Sequence, residues 1–323
     1  MMMGDPLSRI RFYPLHVMLV AELIENGELV GVIRGCIKNV GTHSGSILKM
    51  GCILGLRVSP NFRRKGVGQK LMSSVEEWMV KNGAEYTLLA TEKKNEASRN
   101  LFTIKCNYSH LSSLLIFVHP TTNTFLPKHF SIRHIKIEKL IIEEASSLYG
   151  KIYLKPKDLF PKDMDAILKE KLNLGTWVCY YKDEANYDHH NPNPNPLGFL
   201  HTTLNHARDK IFPCLRMLVS NGSNSSLSRP FGFLFMYGFH GEGDNLGELM
   251  ECIWRFTSRL GESMKGCKVI ITELGLGDPL VSHVPKNSAS MSYIEDLWYI
   301  KRLSGHGDLK DEVGNVFVDP RDF

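Results

Sequence analysis

In LGLRVSPNFRRKGVGQKLM (residues 54–72) an apolar run stops at Pro60, three cations and two glycines follow, and helical spacing then begins. The run CILGLRVSP reads as a strand closed by proline, which cannot donate to a ladder. From Gly66 to about Asn82 the apolar residues Val67, Leu71, Val75, Trp78 and Met79 recur at three- and four-residue steps, and Asn82-Gly83 ends the helix. Two readings of the RRKGVG junction compete. One is a basic turn punctuated by glycine. The other is a cradle for a phosphate group: the first N–H groups of a helix lack intrahelical partners, the helix dipole adds positive charge, and glycine lets a ligand approach the backbone. There is no GxxxxGK[ST] and no third glycine for GxGxxG, which disfavours nucleoside triphosphates and dinucleotides.

Working outward, residues 16–39 read as two strands about an Asn26-Gly27 turn. Strands follow at 85–92 and 114–120, separated by a helix at 95–106. Hairpin-linked strands followed by strands alternating with helices imply a mixed α/β sheet with a parallel pair in its middle. Past a boundary near 120–130 the plan repeats in pattern though not in residue identity. A strand and helix come first, then a helix over 160–172, two strands, and strand–Gly241-Glu242-Gly243–helix–strand. The expectation is a tandem α/β protein, divided into 1–127 and 128–323. In the second copy an acid stands where a phosphate favours a cation, so that copy reads as degenerate.

The bulk numbers agree with two soluble domains. Of 323 residues 43% are hydrophobic and 23% charged, with a net charge of +5. Such a mild excess suits an anionic ligand more than a dedicated nucleic-acid surface. Seven cysteines without a CxxC point to reduced, buried thiols, with neither a disulfide framework nor a structural metal. His189-His190 lie in a Pro/Asn-rich loop without a spaced partner and read as solvated. The start MMMGDPLSRIRFYPL has no apolar segment of signal type, and no run is long enough to span a bilayer, so a secreted or membrane protein is not expected.

Arg63-x-x-Gly66-x-Gly68 after a strand matches the (Gln/Arg)-x-x-Gly-x-(Gly/Ala) motif of the GNAT acetyltransferases, and Asn95-x-x-x-x-x-Leu101-Phe102 resembles the motif that follows it. The blocks LGLRVSPNFRRKGVG, EEWMVKNGAEYTLLATE, NLFTIKCNY, FMYG, EDLWYIKRL and FVDPRDF resemble the plant hookless-type N-acetyltransferases from Leu7 to Phe323. The resemblance implies acetyl-CoA as co-substrate and an amine acceptor, a protein lysine such as a histone's, with work in the nucleus or cytoplasm on plant growth and hormone response. It places the cofactor arm on Leu56, Arg57 and Val58, the phosphates on Arg63, Arg64, Lys65, Gly66, Val67 and Gly68, and a further cofactor contact on Asn95. It calls for no metal, membrane or direct nucleic-acid partner.

Amide formation needs a neutral amine, and a lysine with a pKa of about 10.4 must first lose a proton. Glu92, at the end of the strand beside the cofactor strand, is the candidate base; a solvated loop carboxylate is the competing reading. The family's tyrosine near the thiol matches Phe102, which has no proton to give. Tyr108 is the candidate substitute, against its reading as a core residue, and Asn107 stands at the usual glycine. Only about 15 residues precede the first hairpin. The first copy is therefore expected to lack its usual opening strand and helices. The rival to an enzyme is a catalytically weak acetyl-CoA-binding regulatory or partner-binding module.

Overall fold

The computed structural model describes residues 10–41, 47–121, 134–152, 159–181, 199–210, 231–285, 292–305 and 317–322. In chain order the described elements are β1 (His16–Glu22), β2 (Leu29–Gly41), β3 (Ile47–Val58), α1 (Val67–Lys81), β4 (Tyr86–Glu92), α2 (Glu96–Asn100) and β5 (Ser109–Pro120). There follow β6 (Ile135–Leu140), α3 (Ile142–Ile152), β7 (Phe160–Pro161), α4 (Met164–Leu168), β8 (Asn173–Tyr181), β9 (Phe199–Lys210), β10 (Phe231–Glu242), α5 (Leu246–Ser263), β11 (Cys267–Gly275) and β12 (Ser292–Arg302). The expected mixed α/β class is found. No described helix is long and apolar enough to cross a membrane.

The chain does not divide at residue 127. One compact unit comprises 1–114, 153–163 and 295–323, and the other 115–152 and 164–294. The reason is strand insertion. In the first unit the order is β1-β2-β3-β4-β12-β5, so a strand from near the chain's end lies beside β4. In the second it is β6-β8-β9-β10-β11-β5.

In the first unit α1 buries Leu71, Met72, Val75 and Met79 on one sheet face, against Ile33, Ile53, Leu89, Leu297 and Tyr299. The opposite face gathers Cys36, Cys52, Leu54, Tyr86, Leu88 and Ile300. Strand alternation produces the two sets. The segment 317–322 is fixed to this unit by charge. Asp319 and Asp322 accept from Lys38 Nζ at 3.2 and 2.6 Å, Arg321 Nη2 donates to Asp319 at 2.7 Å and to Asp163 at 3.0 Å, and Tyr13 donates to Asp322 at 2.7 Å. Burial alone would raise the Asp319 carboxyl, but the Lys38 and Arg321 charges hold it well below the usual carboxylate range. In the second unit α5 buries Leu249, Met250, Ile253 and Trp254 in a core with Leu234, Met236, Ile270 and Leu274.

Two expected helices differ. Instead of a helix over 160–172, Phe160 and Pro161 pair with Gly41 and Val40, and α4 covers only 164–168. Proline steers the residue before it away from helical backbone, which leaves Phe160 extended. The helix expected over 95–106 is α2 followed by a π turn at Leu101–Lys105, where the Cys106 N–H reaches back to Leu101 O at 3.0 Å. All six described cysteines are unpaired and buried, as expected; Cys214 and His189-His190 lie outside the described residues.

Candidate active site

The site begins where two parallel strands part. β3 and β4 pair from Met50↔Tyr86 to Ile53↔Leu89 and no further. Beyond that point β3 stays on β2 (Val32↔Arg57, Gly31↔Val58), while β4 stays on β12 up to Glu92↔Asp296. The turning point is Gly55, at φ +68°, beside a register shift between Val32 and Arg34. A bulge with a left-handed residue bends its strand, and a Cβ at Gly55 would run into the Arg34 guanidinium. Leu56, Arg57 and Val58 therefore carry a strand edge that β4 does not cover.

The basic loop joins this edge to α1. Arg64 (φ +62°) and Gly66 (φ +83°) both take left-handed backbone. The first bond into the helix is Lys70 N–H to Gly66 O at 3.0 Å, so the N–H groups of Val67, Gly68 and Gln69 come before the helical ladder. No side chain caps this end and no acid lies in its first turn. A Cβ at Gly66 would meet nothing within 4 Å, whereas one at Gly68 would sit 3.3 Å from Leu101 Cδ2. The first glycine faces open space and the second permits close packing. Arg63, Arg64 and Lys65 are exposed. The Arg63 Nε donates to Val58 O at 3.2 Å, and Lys65 Nζ stands 4.9 Å from the Phe62 ring centroid. Positive charge, helix dipole and open N–H groups thus coincide.

The remaining expected residues separate. Glu92 is half-buried at the end of β4, on the face that carries Tyr86 and Leu88. Asn95 caps α2, its Oδ1 accepting from the Ser98 N–H at 3.2 Å. Asn107 takes the left-handed backbone expected of it, at φ +58°. Tyr108 is buried in the α1-side cluster with Phe102, the face opposite Glu92. Its hydroxyl donates to Glu76 Oε1 at 2.9 Å, and Glu76 Oε2 holds Lys301 Nζ at 2.6 Å. Burial first, and then the Glu76 charge, push this phenol well above its ordinary pKa. The Tyr108 hydroxyl is thus held by Glu76 on the face opposite Glu92. Glu76 and Lys301, which hold it, carried no signal in the sequence beyond their helix and strand.

The second unit repeats the backbone device and fills it differently. β10 and β11 pair in parallel up to Met236↔Thr272, and Gly238 (φ +62°) follows beside a register shift between Tyr237 and His240. Here the Tyr149 side chain occupies the space against Gly238; its hydroxyl shares a hydrogen bond with Thr203 at 2.7 Å, and Thr203 another with Thr176 at 2.7 Å. The stretch into α5 carries Glu242 and Asp244, Glu248 follows in the first turn of the helix, and no Lys or Arg lies among them. Among the described residues no group of three or more His, Cys, Asp or Glu is placed to hold a metal.

Residues 5–108 match the family described as "Acetyltransferase (GNAT) family". The chain is 35% identical over 377 residues to "Probable N-acetyltransferase HLS1" of Arabidopsis thaliana, covering 100% of this chain and 91% of that protein. It is 32% identical over 348 residues to "Acetyl transferase GW6a" of Oryza sativa subsp. japonica, covering 99% and 81%. In fold it is similar to a GCN5-related N-acetyltransferase of Sphaerobacter thermophilus, with a TM-score of 0.51 at 11% identity over 91% of this chain and 82% of that one.

Proposed function

The chain belongs to the GNAT family of N-acetyltransferases, of the plant HLS1-like type, and from that premise we propose that its first unit binds acetyl-CoA at the parted strands and transfers the acetyl group to an amine of a protein lysine. The observation that carries this reading is the junction itself: β3 and β4 separate at Gly55, and the open edge leads into a basic, glycine-containing helix start without an acid. These residues fit the group. Val67, Gly68 and Gln69 offer N–H donors to a pyrophosphate, Arg63, Arg64 and Lys65 screen its charge, and Leu56–Val58 present backbone groups to an amide-bearing arm. When bound, acetyl-CoA supplies a thioester as the activated acyl group.

Glu92 removes a proton from the acceptor ammonium, freeing the nitrogen lone pair to attack the thioester carbonyl. As the C–N bond forms the C–S bond breaks; the nitrogen releases its second proton to solvent and the thiolate takes one up, giving amide and thiol. The tandem plan follows as a second proposal: the part of the chain expected at 128–323 is a GNAT-like copy whose phosphate loop has lost its function. Nuclear acetylation of protein lysines, in growth and hormone response, is the wider reading that the plant-type likeness suggests.

Calorimetry with acetyl-CoA tests the site. Wild type binds, and Gly66→Asp loses about 100-fold in affinity, because it sets an anion at the pyrophosphate position. Gly66→Asn keeps most of the affinity, since asparagine tolerates left-handed backbone. Equal affinity in Gly66→Asp leaves the loop a basic turn. One observation favours binding without transfer: Phe102 stands at the tyrosine position and Tyr108 is tied to Glu76. Acetylation of a panel of amines separates the two readings.

A further inference from the structure

β1 is the outer strand of the first unit, and among the described residues its one strand neighbour is β2. The Ile37 N–H bonds Leu15 O at 2.9 Å, in the register that sets Val17 against Gly35 and Leu19 against Ile33. In an antiparallel ladder, residues whose backbone groups turn toward the partner alternate with residues whose groups turn away. Leu15, Val17, Leu19 and Ala21 therefore direct their N–H and C=O groups to β2, and His16, Met18, Val20 and Glu22 direct theirs outward. The same four place their side chains on the face away from α1, because Val17, Leu19 and Ala21 pack in the α1-side cluster. All four are exposed, Met18 at 38% and Val20 at 44%.

Open strand edges are ordinarily protected by lysine, proline or a bulge. β6, the outer strand of the second unit, follows that rule, with Lys136, Glu138 and Lys139 in six residues. Between its ends β1 holds only Val17, Met18, Leu19, Val20 and Ala21, and its register on β2 is unbroken from His16 to Ala21. The strand is also complementary to itself. Set antiparallel to a second copy about a two-fold axis at Leu19, HVMLVAE places His16 opposite Glu22 of the second copy, Met18 opposite Val20, Val17 opposite Ala21 and Leu19 opposite Leu19. The His16–Glu22 and Met18–Val20 pairs are the ones with outward backbone groups, so each can exchange two hydrogen bonds, and the axis repeats both pairs. Imidazole meets carboxylate at each end, and exposed methionine meets exposed valine between them. A slip of one residue would oppose outward groups to inward ones. A slip of two would set Met18 against Glu22, or His16 against Val20, and shorten the ladder. The helices leave room for the pairing. α1 lies chiefly over β2, and β2 would stand three strand spacings from its symmetry mate, about 14 Å, against a helix diameter of about 10–12 Å.

We propose that the first unit pairs with a second copy of this chain through β1, in the two-fold register centred on Leu19, so that one sheet runs across both molecules. Seven residues of strand make a small interface, and the dimer is expected to be weak and exchanging, with a Kd on the order of 10 μM. The parted strands are not covered by it: Leu56–Val58 belong to β3, which lies on the other side of β2 from β1.

The test is sedimentation velocity of the full chain from about 1 to 200 μM, beside thermal melts of the same samples. Wild type should pass from one chain to two across that range. Val20→Pro removes an outward N–H and no bond to β2, a substitution that an edge strand tolerates, and should weaken association about tenfold or more with the melt kept. His16→Glu sets two like-charged pairs in each dimer and should weaken it about fivefold; His16→Glu/Glu22→Lys restores opposite charges in the same register and should recover the loss. A wild type that stays monomeric at the top concentration overturns the proposal, as does a folded Val20→Pro that associates like wild type. Where Val20→Pro does not fold, the charge pair decides: an unweakened His16→Glu, or a double variant that recovers nothing, overturns the pairing through β1.

Discussion

The two units bend their sheets in the same way and put different side chains into the bend. In the first, the parallel pair ends at Ile53↔Leu89 with a left-handed Gly55 two residues on; in the second, it ends at Met236↔Thr272 with a left-handed Gly238 two residues on. Beyond Gly55 stand a basic loop and an uncapped helix start. Beyond Gly238 stand Glu242, Asp244 and Glu248, and Tyr149 is wedged against the glycine. The backbone device is thus the same and its surroundings are not: Arg34 lies against Gly55 where Tyr149 lies against Gly238, and the helix start is basic in the first unit and acidic in the second. The means of cohesion differ too: a buried ionic network fastens 317–322 to the first unit, and a neutral Tyr149–Thr203–Thr176 chain ties the bend of the second.

The comparison breaks most visibly at the ionic network. Asp319→Ala removes the buried acceptor that Lys38 and Arg321 share, leaving Lys38 on Asp322 and Arg321 on Asp163, and should cost about 2–3 kcal/mol in chemical denaturation. A loss below about 1 kcal/mol, the worth of an exposed pair, would put the network at the surface. The pH dependence follows from the shifts. The Asp319 carboxyl is lowered, so its contribution is present above its unfolded pKa of about 3.9 and is lost as pH falls. Lys38 is raised despite burial, by Asp319 and Asp322, so its contribution is present below about pH 10.4 and lost as pH climbs past it. Stability from the network should hold between those limits.

Next in size is Glu92→Gln, which should lower turnover about 100-fold or more and leave acetyl-CoA affinity unchanged. Unaltered turnover removes Glu92 from the chemistry. The calorimetric stoichiometry then sharpens the contrast of the bends: one acetyl-CoA per chain is expected, and two would show that the acidic connection still binds. Smallest is Tyr149→Phe, which removes the shared hydrogen bond with Thr203 and should cost about 1 kcal/mol in a melt, with acetyl-CoA binding unaffected. A gain of a second binding event in that variant would mean that the tyrosine hydroxyl alone closes the second bend.

Local signals in the sequence were read well where local physics dominates. The run Gly66 to Asn82, closed by Gly83, is α1 to within a residue at each end, and Asn26-Gly27 does turn β1 into β2. Asn107 sits in left-handed backbone, as its residue type allows. The readings that failed turn on competition from elsewhere in the chain. Phe160-Pro161 carries helical-looking neighbours, yet the free edge of β2 takes it as a strand. Residues 101–105 kept helical spacing, but the π turn inserts an extra residue before Tyr108, a shift that periodicity does not register. The α1-side placement of Tyr108 and its bond to Glu76 likewise come from packing and have no local signal.

By itself the sequence determined the mixed α/β class, the helix that ends in Asn82-Gly83 and the basic glycine loop at its start. These depend on residues within a few turns of one another, where spacing, charge and backbone freedom act directly. Tertiary structure alone decided that the parallel strands part at Gly55, that Tyr108 and Glu92 lie on opposite faces, and that β12 runs beside β4 and brings Asp296 next to Glu92. Strand order and register are chosen by the burial of whole faces among many competing pairings, and no local pattern in EDLWYIKRL names the strand it will join.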